Sequence, residues 1–333
     1  MLSAFTGGLS KEEINKLEKV LQDAKKSTSD LDEKLVNAVV SGNHTLTLDL
    51  LQRGANPNAK DKNSDENIIF FAAKVGDWIS VKLLVKYHAK VNITNDIQKT
   101  PLHYSATKGD SLSIEELILN GKADPNAKDM FGKTPLIYAV KNKHYEAART
   151  LLLYHARTDI KDGQRNLPII YAFDLSDYNM VDILAEGGAN VNIEYDGNNT
   201  LFYKAILDKN YKMAEILAKH GADVDKSYAD SSSPLIFAVM KQDTNMVKRL
   251  IKFGANVDLP DSIGYTPLMI ACRDNNYDIV KVLVEEGKAD VNLTSKGGKI
   301  FGFTAAKIAR QYGHNKIYEY LIKNGASKIK ALF

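Results

Sequence analysis

Cysteine is almost missing from this chain. A single residue, Cys272, in a sequence of 333 residues excludes an intramolecular disulfide framework and any cysteine-based zinc cluster. Long hydrophobic runs are missing too. No stretch approaches the roughly 18 consecutive apolar residues that a membrane-spanning helix needs, so no membrane span is expected. The N-terminus, MLSAFTGGLSKEEINKLEK, has no basic segment followed by a long apolar run and does not read as a signal peptide. Cytoplasmic residence is therefore the expectation, with secretion by a non-classical route left open. Nor is there an excess of one charge: 44 basic and 41 acidic residues leave a formal net charge of +3. Nucleic-acid partners usually demand a basic stripe, so none is expected here.

The residues of catalysis are equally sparse. The seven histidines form no H-x-x-x-H or other metal-ligand spacing. The acid pairs Glu12-Glu13, Glu115-Glu116 and Glu285-Glu286 are adjacent in sequence and read as solvated helix faces rather than opposed carboxylates. The Gly-Gly pairs at 7–8, 187–188 and 297–298 lack the context of a phosphate loop. The sequence leads to a non-enzyme, with no catalytic residue, cofactor or metal site.

What the chain has in abundance is repetition. TPLHYSATKGD at 100–110 returns as TPLIYAVKNKH at 134–144. Taking Leu102 as the marker, equivalents fall at Leu35, Ile69, Leu136, Ile169, Phe202, Leu235, Leu268 and Ala306, with gaps of 33 or 34 residues and a last gap of 38. A second marker follows each by about 20 residues, as in RGANPN, NGKADPN, GGANVN and FGANVD. Thr-Pro suits a helix start, because the hydroxyls of Thr100, Thr134 and Thr266 can accept from free backbone N–H groups and proline lacks the N–H that would go unpaired. The recurring Ala106, Ala139, Ala172, Ala205, Ala238 and Ala271 allow close helix approach. Gly ends the second helix where a left-handed residue is favoured, with His88 and His155 as two departures.

These phrases, most fully DMFGKTPLIYAVKNKHYEAARTLLLYHA and DSIGYTPLMIACRDNNYDIVKVLVEEGKADVN, resemble the ankyrin repeat family. The resemblance spans residues 31–333 in nine units. It implies an all-α solenoid of stacked helix-turn-helix units with projecting β-hairpin-like fingers, the last unit serving as a C-terminal cap. Residues 1–30 are read as a disordered start, 1–9, followed by an N-terminal capping helix over about 10–26. There Ser10 and Glu13 form a capping box, and Ile14, Leu17, Val20 and Leu21 form an apolar stripe. The resemblance is specific for the fold and nearly silent on function.

By that resemblance, function belongs to the positions the repeat leaves free. The fingertips carry Ile97, Met130, Phe131, Ile263, Tyr265, Ile300, Phe301 and Phe303, an apolar set for solvent-facing turns. The inner-helix ends read Lys74, Lys108 and Lys141, then Asp174 and Asp208, a basic part followed by an acidic part. Against this stand finger-to-finger packing and ordinary solvated charge. Aromatics recur two residues after the marker, at Phe71, Tyr104, Tyr138, Tyr171 and Phe237. They either pack between helices or form a ladder of hydroxyls on the groove. The expectation is a non-catalytic module, monomeric when free, that binds a protein or peptide through fingertips and concave groove. The alternative is a microbial effector or inhibitor that regulates a partner enzyme by binding.

Overall fold

A computed structural model of the chain describes residues 11–195, 199–226, 232–296 and 301–328. These divide into two compact regions, residues 1–189 and 190–333. The first holds α1 (Lys11–Val40), α2 (His44–Gln52), α3 (Ile68–Val75), α4 (Trp78–Lys86), α5 (Pro101–Lys108), α6 (Ser111–Glu115), α7 (Pro135–Lys141), α8 (Tyr145–Leu153), α9 (Pro168–Asp174) and α10 (Tyr178–Glu186). The second holds α11 (Leu201–Leu207), α12 (Tyr211–Lys219), α13 (Pro234–Met240), α14 (Thr244–Lys252), α15 (Pro267–Arg273), α16 (Tyr277–Glu285), α17 (Ala305–Gln311) and α18 (Asn315–Lys323). Among the described residues the only β pairing is three isolated antiparallel bridges, Lys60 with Asn67, Glu194 with Thr200 and Thr294 with Thr304. Each closes the base of a finger, so the all-α expectation with hairpin-like fingers holds.

The period in sequence becomes a period in packing. All nine marker residues, Leu35 through Ala306, are at most 1% exposed. In the first region α1, α3, α5, α7 and α9 pack in series as an inner row, and α2, α4, α6, α8 and α10 accompany them as an outer row. In the second, α13, α15 and α17 form an inner series beside α14, α16 and α18. Ala106, Ala139, Ala172, Ala205, Ala238 and Ala271 are all fully buried, and their small side chains let neighbouring inner helices approach.

Local chemistry sets the helix ends. Pro101, Pro135, Pro168, Pro234 and Pro267 open inner helices after an extended N-cap residue. Outer helices begin at Asn43, Asp77, Asp110, Asp177, Asn210, Asp243 and Asn276, whose side chains accept from the amide three residues on. His144 and His314 replace them in two units. There the ring Nε2 reaches back to the preceding unit instead, 2.9 Å from the Thr107 carbonyl and 3.1 Å from that of Arg273.

Several sequence expectations change. Helix α1 runs unbroken from Lys11 to Val40, so the segment read as a separate cap at 10–26 is continuous with the first unit's inner helix. Of the proposed stripe, the side chain of Val20 is 66% exposed. The expectations for residues 1–9 and for Ser10 lie outside the described residues. The Thr134 hydroxyl, expected to cap α7, is buried with no hydrogen-bond partner, whereas Thr266 Oγ1 accepts from Met269 N at 3.4 Å. The glycine rule also needs correction. Lys122 and Lys288 join His88 and His155 at positive φ (59–66°) after their outer helices. In those units Gly121 and Gly287 stand one place earlier, where an added Cβ would meet Leu117 O at 2.7 Å and Leu283 O at 2.8 Å. The extra residue of the third unit is absorbed in a π-helical turn, Glu116–Asn120, that continues α6.

Candidate functional site

The fingers of residues 1–189 are built around one side chain each. In the finger preceding α7, Asp129 Oδ1 accepts from the amides of Phe131 and Lys133, both at 2.9 Å. Its Oδ2 accepts from the Tyr138 hydroxyl of α7 at 2.6 Å. Asp162 repeats the arrangement, taking the amides of Gln164 and Asn166 and the hydroxyl of Tyr171. One finger earlier Asn95 stands in: Oδ1 accepts from Lys99 N at 3.0 Å, and Nδ2 donates to Tyr104 Oη at 2.8 Å. Burial, the bond to Asp129 and its charge push the Tyr138 phenol well above its ordinary pKa. The tyrosines are thus neither a free hydroxyl ladder nor plain packing residues. Their hydroxyls are consumed in holding the fingers, and their rings form a half-buried wall.

The fingers also hold one another. Met130 N donates to Ile97 O at 3.1 Å, and Gly163 N to Phe131 O at 2.8 Å. A side chain at Gly132 would bring its Cβ within 2.8 Å of Gly163 N, at a φ of +70°, so this contact requires glycine. On that fixed backbone Met130 and Phe131 are each 53% exposed, while Ile97 is half-buried.

Lysines lie over the tyrosine wall. Lys74 Nζ sits 4.9 Å from the Tyr104 ring centre. Lys99 Nζ lies 5.5 Å from Tyr104 and 4.1 Å from Tyr138, and Lys141 Nζ lies 4.7 Å from Tyr171. These are cation–π distances. Burial holds Lys99 below the ordinary lysine pKa, opposed by the charge of Asp129 and assisted by that of Lys133. Burial also lowers Lys141, again with help from Lys133. Lys74 has a carboxylate partner, Glu66, at 2.5 Å. Among the described residues, no carboxylate lies within 4 Å of the ammonium groups of Lys99, Lys133 or Lys141.

Of the residues singled out in the sequence, the structure therefore brings Lys74 and Lys141 onto one wall with Ile97, Met130 and Phe131 at its edge. Lys108 and Asp174 are exposed ends of α5 and α9. Asp208 belongs to the other compact region and pairs with Lys204 of its own unit at 2.8 Å. In that second region Ile263 is 51% and Phe301 73% exposed. Tyr265 and Phe303 are half-buried, Phe303 lying under Lys307 Nζ at 4.1 Å. Ile300 lies outside the described residues. Sequence reading missed Lys99 and Lys133, although both directly precede the Thr-Pro of a helix start, in QKTP and GKTP.

Two further reactive side chains, those of Cys272 and His103, are buried. Cys272 is fully buried in α15, and burial raises its thiol pKa far above the usual value. His103 is buried, its pKa lowered by burial, with Nδ1 accepting from Thr100 N at 3.1 Å and Nε2 3.1 Å from Lys133 O. Among the described residues no three His, Cys, Asp or Glu side chains are grouped to hold a metal ion. No helix there is long and apolar enough to cross a membrane.

Comparison with known proteins agrees with this architecture. A family model described as ankyrin repeats in three copies matches residues 35–129, 80–162, 105–195, 136–228, 202–295 and 235–331. The ankyrin repeat protein FPV031 of Fowlpox virus is 32% identical over 120 residues, covering 35% of each chain. The 26S proteasome non-ATPase regulatory subunit 10 of Dictyostelium discoideum is 34% identical over 84 residues, 25% of this chain and 36% of that protein. The E3 ubiquitin-protein ligase XBAT33 of Arabidopsis thaliana is 33% identical over 94 residues, 27% of this chain and 18% of the ligase. The matches thus span little more than a third of these relatives at most.

Proposed function

We propose, from the premise that this chain belongs to the ankyrin repeat family, that it is a non-catalytic module binding a protein or peptide along its fingertips and inner-helix groove. The observation that carries the reading is the finger edge of residues 1–189. Met130 and Phe131 are half out in solvent, yet the backbone that presents them is bonded to both neighbouring fingers. Apolar side chains held on a preformed edge lose little entropy on docking, and such anchors dominate interface energies. The named relatives support it only in kind. A viral repeat protein, a ligase and a proteasome subunit share these units, as expected of a frame that carries different binding surfaces.

A narrower reading is an effector or inhibitor that acts on a partner enzyme. The same edge would serve. Capture experiments test both. Immobilised full-length chain is compared with the Met130→Ser/Phe131→Ser variant, with Phe301→Ser as a second probe. Partner capture should weaken at least about tenfold, roughly 1.4 kcal/mol, while melting moves by no more than a few degrees. Undiminished capture by both variants refutes the fingertip reading. Any captured enzyme is then assayed with and without the chain to decide on inhibition.

A further inference from the structure

Three lysines of the tyrosine wall have no carboxylate within 4 Å among the described residues, although the charges of Asp129 and Asp162 act on Lys99 and Lys141 at longer range. Elsewhere in the molecule two lysines of an exposed cleft are paired, Lys209 with Asp243 at 3.6 Å and Lys248 with Glu286 at 3.1 Å, beside Arg249 stacked 4.6 Å from the Tyr211 ring. On the wall, Lys99, Lys133 and Lys141 have no such partner, and Asp129 and Asp162 face inward, 3% and 5% exposed, bonded to amides and tyrosines. We propose that the groove formed by Tyr104, Tyr138, Tyr171, Lys99, Lys133 and Lys141 is a docking site for an acidic protein segment, a run of Asp and Glu side chains laid across the inner helices. This rests on the binding-module reading above and narrows it to one partner chemistry.

The geometry favours carboxylates for three reasons. First, each ammonium lies over an aromatic ring, that of Lys133 over Phe131 at 5.7 Å, and the lysines repel one another. An arriving carboxylate removes that repulsion and gains charge-assisted hydrogen bonds. Second, the row is bounded by acidic groups at both ends. At one end a cleft of about 510 Å³ opens between fingers, lined by the carboxylates of Asp65, Glu66 and Asp96 beside Phe70 and Ile97, and like charge stops an acidic run there. At the other end the charge of Asp174 reaches Tyr171, so the acidic run stops there too. Third, single-stranded nucleic acid binds by stacking bases on open aromatic faces. Here Lys99 and Lys141 cover faces of Tyr138 and Tyr171, leaving charge on offer but no stacking platform.

The test is fluorescence anisotropy on the full chain with three labelled probes of one length. They are a Glu/Asp-rich peptide, its Gln/Asn counterpart, and oligouridylate. The acidic peptide should bind at least about tenfold tighter than the neutral one, with affinity falling as salt rises. Lys99→Gln/Lys133→Gln should abolish that preference and Lys99→Arg/Lys133→Arg should keep it, with unchanged circular dichroism. If the glutamine pair melts early, Lys141→Gln, at an exposed helix end, gives the same readout. Equal binding of acidic and neutral peptides, indifference to the lysine variants, or oligouridylate binding as tightly as the acidic peptide overturns the assignment. Partner capture that depends on Phe131 beside a failed peptide titration removes only this inference. Acidic-peptide binding beside capture indifferent to the fingertips removes only the fingertip reading.

Discussion

Residues 1–189 and 190–333 use the same repeat but fill its second marker in different proportions: Asn58, Asn92 and Asn126 with the single aspartate Asp159 in the first, two asparagines and two aspartates in the second. In the first region Asn92 Oδ1 accepts from Asp124 N at 2.9 Å while its Nδ2 donates to Lys122 O at 2.9 Å, and Asn126 does the same toward Arg157 and His155. In the second, Asn192 and Asn292 keep this double bond, but Asp225 and Asp258 take the two places between them. They accept from Asn256 N and Asp290 N and have no N–H to return. The inner rows differ as well. Where the first region sets Tyr104, Tyr138 and Tyr171 against finger side chains, the second has Lys204, Phe237 and Ile270. The lesson is that the repeat fixes the apolar frame and leaves its polar joints to vary, so regions of equal core can differ in stability and surface.

The sharpest way to break that comparison is to attack the frame. Ala139 in α7 and Ala238 in α13 occupy equivalent, fully buried positions in the two regions. Leucine at either should overpack its inner row by about 1–3 kcal/mol. Urea denaturation together with amide exchange in the affected helices measures it. A large cost in only one region would show that the cores differ, and the contrast drawn here would then not be confined to polar joints.

This frame was legible because its residues repeat for a mechanical reason. Leu102, the Pro of Thr-Pro and the small Ala106 each perform the same packing role in successive units, so chance cannot imitate their period. The site was less legible. Met130 and Phe131 stood out as apolar residues in a turn, but Lys99 and Lys133 looked like ordinary loop lysines. Their significance arises only when a finger folds over tyrosines of two different units, Tyr104 and Tyr138 in the case of Lys99. The continuity of α1 was not legible, because the repeat marks where the first unit begins at 31 but carries no signal for whether the preceding helix stops before it.

A middle-sized effect probes the joints directly. Burial raises the pKa of Asp225 and of Asp258, each opposed by one accepted amide bond and worsened by a neighbouring aspartate. A carboxyl whose folded pKa is raised contributes its full stability below the unfolded value near 3.8 and loses it as pH climbs through the folded value. Asn at both positions removes the charge and supplies the missing donor. Asp225→Asn/Asp258→Asn should stabilise residues 190–333 at neutral pH by about 0.5–1.5 kcal/mol per new hydrogen bond. Toward pH 4 the gain should shrink, because the protonated aspartates can then donate. Melting curves across this pH range test it. A gain that grows on acidification would mean that the aspartates are stabilising as charged groups.

The smallest effect concerns the turn between inner and outer helices. Gly42, Gly76 and Gly109 take positive φ there in the first three units and Gly313 in the last, but Lys143, Ser176, Lys209, Gln242 and Asn275 hold φ of 49–57° in the units between. A residue with a Cβ costs about 1 kcal/mol in that conformation, less for asparagine, whose short side chain bonds locally. Glycine there removes the strain. It also frees the unfolded chain, which takes back about 0.4–1 kcal/mol. The two terms nearly cancel, so Lys209→Gly and Gln242→Gly should each stabilise by a few tenths of a kcal/mol, and Asn275→Gly should be neutral or slightly destabilising. Native-state exchange at the amides of α12, α14 and α16 resolves changes of this size better than a melting point. Equal gains at all three positions would show that asparagine has no local advantage in this turn. A loss at Lys209 or Gln242 would show that their side chains contribute contacts that offset the strain, as the Lys209 ion pair with Asp243 at 3.6 Å is placed to do.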